Sequence, residues 1–195
     1  HSDEVRDVVG GRWKERLTPV NRLVAPSPAE DAVAGELSRT WLHRADGASP
    51  PGGRKAGSRG DALFAWTLAK SFLSSPSALI QTIDERLRRR GSRAAGSGAT
   101  STEHRALAHL RELAVEANTT DSGKYQALLA ELRRIGISRS SSERVVVFAE
   151  RIATLTWLAE HLREDLRLPA DAVRVMHGSL SDVEQQEIVE QFRQA

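Results

Sequence analysis

The stretch that most constrains this 195-residue chain is residues 144–192, where two short apolar runs each give way to a helical stripe. Arg144-Val145-Val146-Val147-Phe148 is rich in β-branched residues and continuously apolar, the pattern of a strand buried on both faces of a parallel sheet. Ile152, Leu155, Leu158 and Leu162 then recur three or four apart, one face of an amphipathic helix. Pro169 closes the connection, and Ala172-Val173-Arg174-Val175-Met176 repeats the strand pattern up to His177-Gly178-Ser179. Ser181 with Glu184 three residues on forms a capping box, and Val183, Ile188, Val189 and Phe192 supply the buried stripe of a last helix. Two βα units in succession predict a parallel sheet with right-handed crossovers. So small a sheet has unpaired edges and must lean on the helices before it or on further sequence.

Upstream the chain reads as helices separated by Gly, Ser and Pro clusters. Residues 1–24 show no single period and predict a short helix or turn, a break at Gly10-Gly11 and an extended piece. Ser27-Pro28 is a helix start, the serine as cap and the proline where its missing N–H costs nothing, and the helix is expected to run to about Arg44 with Val33, Leu37 and Trp41 inside. Residues 45–60 are a loop by composition. A strongly apolar helix follows from Asp61 through Trp66 to Leu73, expected to be core; Ser75-Pro76 starts another that ends in the run Arg86, Arg88, Arg89, Arg90. That run reads either as a solvated end complementing the helix dipole or as a phosphate contact. After a linker at 91–101, helices are expected from Thr102 to about Asn118 and from Lys124 through Leu132. His104 and His109 lie five apart, off the i, i+4 spacing with which one helix face grips a metal, so no metal site is expected.

Charge gives little direction: 28 Lys and Arg nearly balance 26 Asp and Glu, so any nucleic-acid role must rest on local clusters. Only Lys14, Lys55, Lys70 and Lys124 are lysines, and abundant Arg and Ala suggest a GC-rich bacterial genome. The absence of cysteine excludes disulfides and thiolate chemistry and fits a reducing, cytoplasmic setting. No apolar run approaches the roughly 18 to 20 residues of a membrane span, so no membrane partner is expected. A chain that starts at His1 and whose only methionine is Met176 is expected to be part of a larger protein.

The order of several segments resembles the superfamily 2 helicases, most closely the Swi/Snf-type, bacterial RapA-like branch. Asp121-Ser122-Gly123-Lys124 with Leu128, Leu129 and Leu132 is similar to the helix entering that family's second RecA-like lobe. Val145-Val146-Val147-Phe148 and His177-Gly178-Ser179-Leu180-Ser181-Asp182 resemble the strand and segment that follow it. Ser2-Asp3-Glu4-Val5-Arg6-Asp7, Arg22-Leu23-Val24 with Ser27-Pro28-Ala29-Glu30, and Leu73-Ser74-Ser75-Pro76 match upstream steps. The resemblance implies an α/β chain: a helical connector or protrusion over 1–140, with Trp13, Trp41 and Trp66 packed as core, then over 141–195 the first half of a RecA-like parallel sheet, a truncated P-loop NTPase-type helicase lobe.

The implied activity is ATP-dependent translocation on double-stranded DNA, with RNA polymerase or another protein as a further partner, and with ATP and Mg²⁺ held by the parent protein. The chain itself lacks a complete P-loop, since Gly123-Lys124 has no upstream glycine at the right distance, and it has no Asp-Glu strand end. No catalytic residue and no bound cofactor are therefore expected in it. The expected nucleic-acid contacts are the strand-end loops: Glu150 and Arg151 after the first strand, His177, Gly178 and Ser179 after the second. These residues also admit a plain structural reading, with Arg151 pairing on the surface, His177 packing and Gly178 permitting a turn. Glu184 departs from the arginine that relatives carry there. A non-catalytic helical module that binds a protein partner is the competing class.

Overall fold

Ser27 opens a helix by a reciprocal cap. Its hydroxyl accepts the Glu30 amide at 3.2 Å while the Glu30 carboxylate accepts the Ser27 amide at 2.7 Å, and Pro28 stands at the first helical position. The computed structural model describes residues 18–42, 59–91 and 98–194. Within them α1 spans Pro28–Glu36 and continues as a π-helical segment, Leu37–Leu42. Then come α2 (Arg59–Ser74), α3 (Pro76–Gly91), α4 (Gly98–Ala117), α5 (Gly123–Ile135), α6 (Ile152–Asp165) and α7 (Asp182–Gln194). The expected readings of residues 1–17, most of the loop 45–60 and the linker residues 92–97 lie outside the described residues.

Helices α1 to α4 close around one core, in which Val33, Leu68, Leu79, Ile83, Leu107 and Leu110 are fully buried. Each such side chain contributes about 1.5–3 kcal/mol through removal from water, which is why the helical periods were readable. The ionic groups at the edge of this core are paired. Arg86 Nε meets the buried Glu103 carboxylate at 3.0 Å, and its guanidinium lies 4.3 Å from the Phe64 ring centroid. Arg89 reaches Glu85 at 3.7 Å, so two members of the arginine run at the end of α3 have partners inside the protein.

A second, smaller cluster joins α5 to α6. Tyr125, Leu129 and Leu132 pack against Leu162, with Val145 and Trp157 at the margin. The Tyr125 hydroxyl donates to Asp165 at 2.5 Å, and Trp157 lies edge-on to Tyr125 and stacked on His161. Burial and then the Asp165 carboxylate push the Tyr125 phenol well above its ordinary value, so it is a neutral donor at any physiological pH.

No strand forms among the described residues, which overturns the expected α/β class and its partial RecA-like parallel sheet. Residues 141–149 and 173–177 carry no regular secondary structure. The physical reason lies in partners: a parallel ladder needs a second strand beside the first and cover on both faces. Here Val145 is drawn into the α5–α6 cluster, while Val146 and Phe148 are 59% and 91% exposed. The Val173 carbonyl is taken by the Arg163 guanidinium at 2.6 Å, a side chain standing where a ladder donor would be.

The last helix forms where expected, behind the Ser181–Glu184 capping box, but its expected buried stripe does not: α7 has no buried residue, and Val183, Val189 and Phe192 are exposed. Of the tryptophans, Trp41 is core, whereas Trp66 is 59% exposed because Ala65, Leu68 and Ala69 already fill the inward face of α2. Leu73, also expected inside, is 69% exposed.

Two helices stop by the same device with different residues. After α5, Ile137 N–H bonds Leu132 C=O and Gly136 N–H bonds Arg133 C=O, with Gly136 left-handed at φ 95°. After α6, Leu168 N–H bonds Arg163 C=O and Arg167 N–H bonds Glu164 C=O, with Arg167 at φ 51°. A side chain at that position costs about 1 kcal/mol relative to glycine. Arg167→Gly is therefore expected to stabilise the chain and Gly136→Ala to destabilise it, each by about 1 kcal/mol of unfolding free energy read by denaturant titration.

Candidate functional site

Four segments far apart in sequence meet at one open cleft of about 590 Å³, bounded by the α2–α3 corner, the start of α1, and α5 with α6. That volume lies within the roughly 300–1,000 Å³ of ordinary ligand sites. Its floor is apolar, with Phe72, Leu128, Tyr125 and Trp157, and Lys70, Lys124 and Glu150 stand at its rim.

The start of α1 is tied to the start of α5 through one carboxylate. Glu30, 7% exposed, accepts from the Ser122 hydroxyl at 2.8 Å and from the Gly123 amide at 3.4 Å, in addition to the Ser27 amide. Burial alone would raise its pKa; the donors from Ser27, Ser122 and Gly123 outweigh that and hold the carboxyl below its usual range. Ser122 gives α5 no local side-chain cap because its hydroxyl is spent on Glu30. The next residue ties α5 to α2: Lys124 Nζ donates to the Leu73 carbonyl at 2.5 Å, a cation set on the last turn of a helix where its dipole favours positive charge. At the α2–α3 corner the Ser74 and Ser75 hydroxyls meet Thr154 Oγ1 at 2.8 Å and 2.7 Å, and Ser75 also caps α3 through the Ala78 amide.

This geometry decides what Gly123-Lys124 can do. In a phosphate cradle the glycine amide and lysine ammonium point at an anion. Here the amide faces the Glu30 carboxylate and the ammonium a backbone carbonyl, while a Cβ on Gly123 would run into the carbonyl oxygen of Ala25. The glycine serves close backbone packing, and the residues do not fit ATP phosphates or their Mg²⁺.

The expected contact residues fall into two loops, each leading into a helix. Glu150 lines the cleft, and Arg151 is the N-cap of α6, extended at φ −118° and ψ 130°, with no side-chain cap bond and no partner among the described residues. The amides opening α6 are thus left without a local acceptor. At the second loop the Ser179 hydroxyl meets His177 Nδ1 at 2.8 Å, and Gly178 has open space around it. There the helix start is occupied: Glu184 accepts from the Ser181 amide and hydroxyl at 2.8 Å and 2.7 Å. The hydroxyl first, then the amide, hold the Glu184 carboxyl below its ordinary value. Glu184 is therefore a capping residue, and of the two loops the first has the freer donors.

Comparison with family models, curated proteins and solved structures finds no match to the chain. Among the described residues no helix is long and apolar enough to cross a membrane.

Sequence reasoning missed Thr154, which lies off the apolar stripe of α6, and the tertiary half of Glu30. A Thr three residues into a helix and a Glu three after a serine cap carry no signal of partners some 80 to 92 positions away.

Two outcomes follow for this site. Gly123→Ala is expected to destabilise the chain by about 1–3 kcal/mol, as overpacking does, in denaturant melts. Because the folded Glu30 pKa lies below its ordinary 4.5, its contribution is present above that pH and is lost as pH falls toward the lowered value. Glu30→Gln should remove this acid-limb dependence and cost on the order of 2 kcal/mol at neutral pH, read from the pH profile of unfolding.

Proposed function

We propose that the chain is the helical joint of an ATP-dependent, DNA-translocating helicase of the Swi/Snf-type superfamily 2 kind, contributing nucleic-acid contacts and no ATPase chemistry of its own. The observation that carries this reading is convergence. Four of the segments by which the sequence resembles that family, Ser27 to Glu30, Leu73 to Pro76, Ser122 to Lys124 and Phe148, border the same cleft or bond across it, whereas His177 to Asp182 does not line it. Segments whose resemblance lay only in their order in sequence thus meet in space.

In this reading Arg151 and the open amides at the start of α6 take one phosphate of duplex DNA, with Glu150 at the cleft side of the loop, and His177, Gly178 and Ser179 take another. ATP and Mg²⁺ are bound elsewhere in the motor, since Gly123-Lys124 is committed internally.

A second reading, a non-catalytic helical module for a protein partner, draws on Leu73 and Phe148, exposed apolar side chains at the rim of the cleft.

Salt titration separates the two. The chain is expected to bind duplex DNA with an affinity that falls linearly in log–log form with salt, and Arg151→Ala should weaken it and lower the slope by about one. Ser179→Ala should weaken it less. Binding that is absent, or indifferent to salt, sinks the motor reading and leaves the protein-binding module.

A further inference from the structure

The first turn of α6 has an unusual support. A helix start is ordinarily fixed by its own N-cap side chain, with Ser, Thr, Asp or Asn accepting the amides of the first turn. Arg151 cannot do this, because a guanidinium has only donors, and it makes no cap bond. What holds the turn comes from outside it. Thr154, at the third helical position and 6% exposed, meets both Ser74 and Ser75 through its hydroxyl. With one hydrogen and two lone pairs on each oxygen, Thr154 Oγ1 can serve both serines at once, accepting from both or donating to one, while Ser75 Oγ still accepts the Ala78 amide. The turn is thereby joined to the corner at which α2 ends and α3 begins.

We infer that Thr154 is the positioning residue of the Glu150–Arg151 loop: its two hydroxyl contacts fix the first turn of α6 in place of a local cap and so aim the free Arg151 guanidinium and the open amides at the bound phosphate. The inference rests on the nucleic-acid reading above and assigns to it a residue that touches no ligand. A local cap would have occupied these amides; an external latch leaves them available. The latch also makes the loop answer to the α2–α3 corner, because Ser75 serves both α3 and α6 through one oxygen.

The test is a double-mutant cycle on the full chain, with duplex DNA at fixed salt. Thr154→Val keeps the shape and removes the hydroxyl; it is expected to weaken binding about fivefold, the worth of one net hydrogen bond, and to speed amide exchange at Ile152 and Ala153. Thr154→Ser, which restores the hydroxyl, should return the affinity to within about twofold of wild type. In an Arg151→Ala background Thr154→Val should cause a clearly smaller further loss, because only the open amides are left for it to position. Ser74→Ala, which keeps the Ser75 contact, gives a smaller change of the same sign and serves if the valine variant folds poorly. Losses that add across the cycle, or a Thr154→Val chain that binds as wild type does, overturn the positioning role while the DNA reading stands. A wild-type chain that binds no duplex overturns both.

Discussion

The buried Glu30 carboxylate is the constraint on which the arrangement around the cleft depends. A carboxylate with so little exposure is stable only if donors replace water, and the three that do so come from two places: the Ser27 amide beside it and the Ser122 hydroxyl and Gly123 amide on another helix. Satisfying one side chain therefore fixes where α5 begins relative to α1. Gly123 is then obliged to be glycine by the Ala25 carbonyl, and Lys124, the following residue, is brought to the exposed end of α2. Because α5 carries Tyr125 and Leu129, the cluster that seats α6 inherits its position from the same bond.

The helices were legible in the sequence because their signals are local. Ser27-Pro28, Ser75-Pro76 and Ser181 with Glu184 announce starts within a few residues, and spacings such as Leu107 to Leu110 or Leu129 to Leu132 reflect a neighbour on one side only. Strands have no such autonomy. Val145-Val146-Val147-Phe148 has the composition of a buried strand, yet composition states what a segment suits, while a ladder requires another segment at a set distance. Among the described residues that second segment is absent, and the run is divided between a packed Val145 and an exposed Phe148.

The candidate site was legible in part. Arg151 and Ser179 were expected at the ends of two strands; no strand forms among the described residues, and what remains of that expectation is that both loops stand before helix starts, where backbone donors collect. The difference between them was hidden, since it turns on which amides are already occupied: Glu184 fills the second start, and nothing local fills the first. The role of Thr154 was hidden for a simpler reason. A hydroxyl at that place in a helix ordinarily bonds the preceding turn, and only the fold shows Ser74 and Ser75 beside it.

The latch and the contacts it supports differ in kind. Three hydroxyls carry no net charge, so the joint between α2–α3 and α6 lies outside the reach of ionic screening, whereas the Arg151 guanidinium is fully subject to it. On the proposed nucleic-acid reading, rising ionic strength should therefore release the charged partner from a loop that stays in register, and its lowering should let the partner return without any refolding of the chain.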